Sequence, residues 1–476
     1  MRSSVLASLA AVVAAVGVGA GWQAARLDAS LDDTVEVAAS EATVATARTP
    51  VLSVRRAPQW LQTPVADAQL RAELEQIVAE SPTDSCLVVR DEGRTIYAHA
   101  PDSPLVPAST TKLVTGVAAL DVLGADTSFR TRVVSQAPIE DGVVAGDVWL
   151  VGGGDPVLAT DDYIARYEEP QLHTDFADLA DALVEAGVRE IRGSIIGDES
   201  RYDTQRSVAS WDPVFVRDHE SGPLGALMVN DGFASFPPTR SNMAAVPADQ
   251  PAAHAASLLG TLLGQRGVTV TGPPRTGTAP EGAIELAAVQ SAPLAEVVGQ
   301  MLAASDNTTA ELLLKELGLA SGGGGSTAAG VAAAVEVLRD DGVAVDGIVL
   351  NDGSGLDRGD RLTCSALVAV LDNAGADSVL ARGLAVAGER GTLRERWVGT
   401  PAAGNVRAKT GSVRNSRSLA GFAETPVGPL TFAYIANASP FIDGNAALAL
   451  QDRLGLALVQ YPKGPTLEQL GPQPVP

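Results

Sequence analysis

Histidine, cysteine and lysine are all scarce in this 476-residue chain, and each scarcity excludes something. The four histidines, His99, His173, His219 and His254, are scattered, with no HExxH or comparable ligand spacing. A metallopeptidase is thereby excluded, and no metal is expected. Cys86 and Cys364 are the only cysteines. They are compatible with one disulfide in an exported protein and equally with two buried free thiols. Only four of the 34 basic residues are lysine. Arginine effectively never gives up its proton, whereas lysine does so in a dry pocket, so where a lysine does occur its position carries information. Positive charge is short overall: the net charge of −23 argues against nucleic acid and anionic membrane surfaces. That charge suits solubility outside the cell, and is compatible with cationic groups on a substrate. The glycine run Gly322–Gly325 lacks the GK[ST] ending of a phosphate-binding loop and reads as a turn.

What is present is a globular composition, 46% apolar and 19% charged, in a chain longer than one ordinary domain. Residues 1–25 read as an export signal: Arg2 is followed by Val5–Gly21 without a charge. Cleavage near Ala20 and retention as a membrane anchor are both open. Residues 26–57 read as a linker. A first helix is expected over Pro64–Ala79, a hairpin over 86–90 and 95–99, and a helix from Ser109 to about Leu123. Residues 128–290 change character to short strands, glycines and prolines and read as inserted αβ lobes. They include helices over Phe176–Ala186 and Ala252–Arg266 and a strand over 191–198. Helices follow over Leu294–Ala304, Thr308–Leu317 and Thr327–Asp340, the last with its apolar stripe in Val331, Val335 and Leu338. NVRAKTGS, SLAGFAE and PLTFAYIA read as adjacent antiparallel strands, Asn445–Gln460 as a closing helix, and 463–476 as a disordered tail.

Two of the four lysines stand in short motifs. Ser109-Thr110-Thr111-Lys112 puts serine and lysine one helical turn apart on one face. At a helix's first turn, unpaired amides favour developing negative charge. A serine hydroxyl attacks only once its proton is taken, and Lys112 can take it if burial and a second cation lower its pKa. Lys409, in Lys409-Thr410-Gly411-Ser412, could be that cation, and Ser305-Asp306-Asn307 lies between the two motifs. Each motif alone has an ordinary reading, as a solvated helix end, a helix cap or a strand-end turn. Their order and context together point to serine acyl transfer.

This order of SxxK, SxN and KTG resembles that of the penicillin-recognising serine acyl-transferases. With its long insertion, the chain resembles their D-alanyl-D-alanine carboxypeptidase/endopeptidase branch, the penicillin-binding protein 4 type (peptidase family S13). Further matches are PLVPASTTKLVT, GGGDPVL, GPLGALMVNDG, NDGSGLDRGDRLT and AGFAE. The resemblance implies an α/β (α+β) fold of the transpeptidase/β-lactamase-like type, with an antiparallel five-stranded sheet flanked by helices. The catalytic domain would be 58–127 with 291–462, and the inserted lobes would be 128–290. Ser109 would attack the D-Ala-D-Ala carbonyl, with Lys112 its base, Ser305 a proton relay, Asn307 a ligand for the substrate amide, and Lys409 an electrostatic support. Thr410, Gly411 and Ser412 would line the carboxylate subsite, and the N–H groups of Ser109 and Ser412 would form the oxyanion hole. Asp198 and Arg358 would hold the zwitterionic end of the stem peptide's third residue. The expected partners are peptidoglycan stem peptides and β-lactams, with no cofactor, no metal and no nucleic acid. A β-lactamase or esterase on the same scaffold, and a non-catalytic cell-wall scaffold, are the alternatives.

Overall fold

The apolar run DSCLVVRD and the alternating RTIYAH are joined by Glu92 and Gly93, both with positive φ, the backbone that closes a two-residue hairpin. They fold back antiparallel as β1 (Asp84–Asp91) and β2 (Arg94–His99). The computed structural model describes residues 59–464 apart from 240 and 242, so the expectations for 1–25 and 26–57, and for the tail beyond 464, lie outside the described residues. Before the hairpin runs α1 (Gln59–Glu80), which starts earlier than expected and carries Pro64 inside it. After the hairpin, a 3₁₀ turn at Ala108–Thr110 leads into α2 (Thr111–Leu123).

The intervening region supplies β3 (Arg130–Ser135), β4 (Val148–Val151), α3 (Phe176–Glu185), β5 (Ile195–Asp198), α4 (Pro251–Gln265), β6 (Arg275–Thr276) and β7 (Ile284–Gln290). Their order in a five-stranded mixed sheet is β6-β5-β4-β3-β7. Phe176, Leu179 and Leu183 of α3 and Leu259 and Leu263 of α4 share a core with Val133, Leu150 and Ile195 of this sheet. The single strand expected over 191–198 is broken. Glu190–Ile191 joins a separate four-stranded sheet, and only Ile195–Asp198 joins this one. Between them Ser194 N–H donates to Asp147 Oδ1 at 2.7 Å, anchoring the crossover.

The remaining chain forms α5 (Leu294–Ala304), α6 (Asn307–Ala320), α7 (Thr327–Asp340), α8 (Cys364–Ala374), β8 (Ala385–Val386), β9 (Val406–Val413), β10 (Ser416–Ala423), β11 (Leu430–Asn437) and α9 (Gly444–Val459). The antiparallel sheet has six strands where five were expected, in the order β8-β9-β10-β11-β1-β2. The addition is the two-residue β8, too short to show a period in sequence. One sheet face (Cys86, Val88, Phe422, Ile435) packs under α2, α5, α6, α7 and α8. The other (Leu87, Val89, Phe432, Tyr434) packs under α1 and α9. On α7, the burial falls on Gly330, Ala333, Ala334, Val337 and Leu338, with Val331 and Val335 only half-buried. Small residues there let α7 lie close on α6, a contact that a purely apolar periodicity overlooks.

The described residues form one compact unit. Residues 201–203 of the intervening region meet α6. Tyr202 hydroxyl donates to Glu316 at 2.7 Å, the Arg201 guanidinium pairs with the same carboxylate, and buried Lys315 pairs with Asp203. Cys86 of β1 and Cys364 of α8 form a disulfide, which resolves the pair in favour of the bond. No helix among the described residues is long and apolar enough to cross a membrane.

Candidate active site

Ser109 lies in the 3₁₀ turn that opens α2, directly after Ala108, whose φ of +50° is costly for a residue with a Cβ. The turn is pinned from several sides. Pro107 O accepts from Thr110 Oγ1 at 2.7 Å and from Ser418 Oγ at 2.5 Å, while Ala108 O accepts from Thr111 Oγ1 at 3.0 Å. One turn on, Lys112 is fully buried. Its Nζ donates to Asn307 Oδ1 and to Ser354 O, each at 2.7 Å, and to Ser109 Oγ at 3.2 Å. Burial lowers the Lys112 pKa to about 8, against the opposing pull of Asp352, Glu311, Asp306 and Glu220. An amine that is neutral in part near pH 8, within reach of a serine hydroxyl, can accept that hydroxyl's proton.

Ser305 and Asn307 face the same space because a helix ends and another begins between them. Ser305 takes the left-handed conformation that terminates α5 (φ +62°), and Asp306 caps α6 by accepting from Thr309 N at 3.1 Å. This turn points Ser305 Oγ at Lys409, which donates to it at 2.8 Å, and Asn307 Oδ1 at Lys112. Asn307 Nδ2 is held by Glu220 O at 2.6 Å. Lys409 is fully buried, and burial first, then the charge of Lys112, holds its pKa well below the ordinary lysine range. Of the two causes expected to depress Lys112, burial and a second cation, burial leads, and it leads at Lys409 as well.

On β9, β8 pairs only with Arg407 and Ala408, so from Lys409 to Val413 the edge away from β10 carries no strand among the described residues. Exposed Ser412 stands on this open stretch, and Thr410 Oγ1 donates to Thr392 Oγ1 at 2.9 Å. Gly411 is where the strand meets the Ser109 turn. A Cβ there would overlap Ser418 Oγ and stand 2.8 Å from Pro107 O and 3.0 Å from Ser109 N. Two hydroxyl–amine pairs, Ser109–Lys112 and Ser305–Lys409, thus converge beside an exposed strand edge.

A family model described as the D-Ala-D-Ala carboxypeptidase 3 (S13) family matches residues 70–248 and 237–458. The chain belongs to the S13 family. A D-alanyl-D-alanine carboxypeptidase of Actinomadura sp. (strain R39) is 32% identical over 473 residues, covering 83% of this chain and 85% of that protein. A carboxypeptidase of Mycobacterium tuberculosis is 33% identical over 374 residues, covering 76% of this chain and 77% of its own. Among solved structures, penicillin binding protein 4 (dacB) from Haemophilus influenzae shares the fold. Its TM-score is 0.68 at 21% identity, over 81% of this chain and 98% of that one. The protein is therefore a serine peptidase of the S13 D-Ala-D-Ala carboxypeptidase family, with the mixed α/β fold that the motifs implied.

Two residues expected in this S13 site have other partners. Asp198, at the end of β5, is buried and accepts from Ser200 N at 2.9 Å and Ala279 N at 2.7 Å. It lines a cavity of about 850 Å³ with Arg130, Arg132, Arg201 and Glu316, whose walls include none of Ser109, Lys112, Ser305, Asn307 or Lys409. Arg358 pairs with Asp212 at 3.0 Å and lies over the Phe215 ring. A smaller cavity of about 330 Å³ does reach Ser305–Thr308, with Glu220 and Asp231 in its wall. The residues that motif reading missed are Glu311, Asp352 and Ser354, which surround Lys112. NDGSGLDRGD was a visible signal, but only contacts across 40 residues or more reveal what its backbone does.

Proposed function

We propose that this S13 protein is a serine DD-peptidase that cleaves after D-Ala in peptidoglycan stem peptides through an acyl-enzyme on Ser109. Neutral Lys112 takes the Ser109 proton as Oγ attacks the D-Ala carbonyl carbon. The oxyanion forms against the N–H groups of Ser109 and Ser412. Ser305, hydrogen-bonded to Lys409, passes a proton to the leaving amine, and Asn307 holds a substrate amide. The substrate lies along the open edge of β9, its terminal carboxylate on the hydroxyls of Thr410 and Ser412, with Gly411 keeping that edge close to Ser109. Water then releases the acyl group, and a β-lactam takes the peptide's place and leaves slowly. The observation that carries this reading is the fully buried Lys112, 3.2 Å from Ser109 Oγ.

The reading extends to the chain's organisation. Residues 58–127 and 291–462 form the catalytic part and 128–290 the insertion, and the N-terminal segment directs export to the cell envelope, cleaved or kept as a tether. Arg358 contributes to recognition of the third stem residue once it leaves Asp212, whereas Asp198 would have to surrender two backbone bonds to do so. Release of D-Ala from a D-Ala-D-Ala peptide, measured for the wild type and Ser109→Ala, tests the reading. Release by the wild type alone supports it, and equal release by both overturns the assignment of Ser109.

A further inference from the structure

Beneath Lys112 lies a buried carboxyl for which the acylation scheme has no use. Glu311 stands on α6 one turn beyond Asn307 and is fully buried. Its Oε1 accepts from Gly353 N at 3.1 Å and from Ser354 N at 2.8 Å, and its Oε2 has no hydrogen-bond partner among the described residues. The same Ser354 offers its carbonyl to Lys112 Nζ at 2.7 Å, so one residue of backbone separates the carboxyl from the amine. The strap is fixed from the other side as well: Thr115 Oγ1, on α2 below Lys112, donates to Gly353 O at 2.7 Å. A carboxyl with one oxygen bound by two amides and the other bare is half satisfied, an arrangement that costs stability.

We propose that Glu311 is a positioning residue for the Lys112–Ser109 pair. It holds the Gly353–Ser354 strap so that the Ser354 carbonyl aims the lysine amine, and its charge sets the protonation of that amine. This inference rests on the assignment of Lys112 as the base. Every charged group that acts on Lys112 has to be counted. Glu311 and Asp306 come from α6 and its cap, Asp352 from the strap, Glu220 from the loop that holds Asn307, and Lys409 from β9. Of the four acids, Asp352 is engaged by Gly355 N, Asp357 N and Trp211 Nε1 at 2.7 to 2.8 Å, and Asp306 by Thr309. Glu311 is the one tied to the backbone that touches Lys112. Burial first, then the charge of Asp352, raises the Glu311 pKa to about 8, the region to which burial brings Lys112, so the two titrate as a pair. Below that region the Glu311 carboxyl is protonated; as the pH rises it gains its charge, which opposes loss of the proton from Lys112. As the pH rises and the amine becomes neutral, the strap keeps it oriented.

The test is the pH dependence of acylation by a chromogenic β-lactam for the wild type, Glu311→Gln and Glu311→Ala. Gln keeps an acceptor for the two strap amides but no charge. Without the carboxylate that forms near pH 8, Lys112 loses its proton more readily there, so the acid limb should move down by about one pH unit, roughly tenfold faster acylation at a pH on that limb. Ala removes the acceptor too and should slow acylation about 100-fold at every pH, the effect of a misplaced group. A Gln variant with the wild-type limb, or an Ala variant with the wild-type plateau, overturns the proposal. A second readout needs no change at Glu311. With only four lysines in the chain, ¹³Cε-lysine labelling gives four resonances, and Lys112→Arg identifies one. In the wild type the Lys112 signal should titrate in two steps, whereas a single step overturns the coupling. Acylation retained in Lys112→Arg would sink the parent assignment of the base, whereas acylation lost in Lys112→Arg together with a single-step Lys112 titration in the wild type would sink this one alone.

Discussion

Replacing Gly411 with alanine tests how closely β9 must approach the Ser109 turn. The added Cβ would stand 2.8 Å from Pro107 O and 3.0 Å from Ser109 N, where ordinary contact begins near 3.4 Å. It would also overlap Ser418 Oγ, which is committed to Pro107 O at 2.5 Å. The hydroxyl can rotate away only by giving up that bond; the two backbone atoms can yield only if the turn or the strand retreats by about 0.6 Å. Overpacking of this kind costs about 1–3 kcal/mol of stability. The larger effect falls on the reaction, because the displaced atoms are the serine's own amide and the strand carrying Ser412. A displacement approaching 1 Å costs about 100-fold in rate. Acylation by penicillin, followed by intact mass, should therefore slow about 100-fold while the thermal midpoint falls by several degrees. Acylation within threefold of wild type would refute the idea that this approach forms the oxyanion site.

Further outcomes follow from the same geometry. Lys112→Arg preserves the charge but removes the base, and should lower D-Ala release at least about 1000-fold. Since burial lowers Lys112 to about 8, activity should rise with pH through that region as the amine loses its proton; a pH profile flat from 6 to 9 would count against Lys112 as the base. Replacing both Cys86 and Cys364 with alanine removes a cross-link spanning 278 residues, which by chain entropy alone should lower stability by about 5 kcal/mol in denaturant titration. Glu316→Ala strands the Tyr202 hydroxyl and Arg201 where residues 201–203 meet α6, and should cost about 2 kcal/mol without changing the pH profile.

The sequence was most legible where a local period and a chemical motif coincided. Thr327–Asp340 and Leu294–Ala304 appear with the expected bounds, and the strands holding KTGS and AGFAE pair as expected, because helical apolar spacing and apolar segments of strand length are local properties of the chain. Ser109, Lys112, Ser305, Asn307 and Lys409 could be named in advance since each belongs to a short motif whose spacing fixes its neighbours, and the structure brings their side chains together. What could not be read depended on distant parts of the chain. β8 has two residues and exists only as a partner for β9. The strand expected over 191–198 divides where Asp147, 47 residues earlier, captures the Ser194 amide. Asp198 and Arg358 sat at matching sequence positions, yet their carboxylate and guanidinium have found other partners. Glu311 looks like one more residue of an amphipathic helix until the strap from 353–354 closes over it.

The central claim is that Ser109, activated by buried Lys112, is the acylated residue. Intact mass of the protein after incubation with penicillin, followed by peptide mapping, tests it most directly. The account predicts one persistent adduct, located on Ser109 and absent from Ser109→Ala. An adduct on any other residue, or drug hydrolysed with no covalent species at any time, would contradict it.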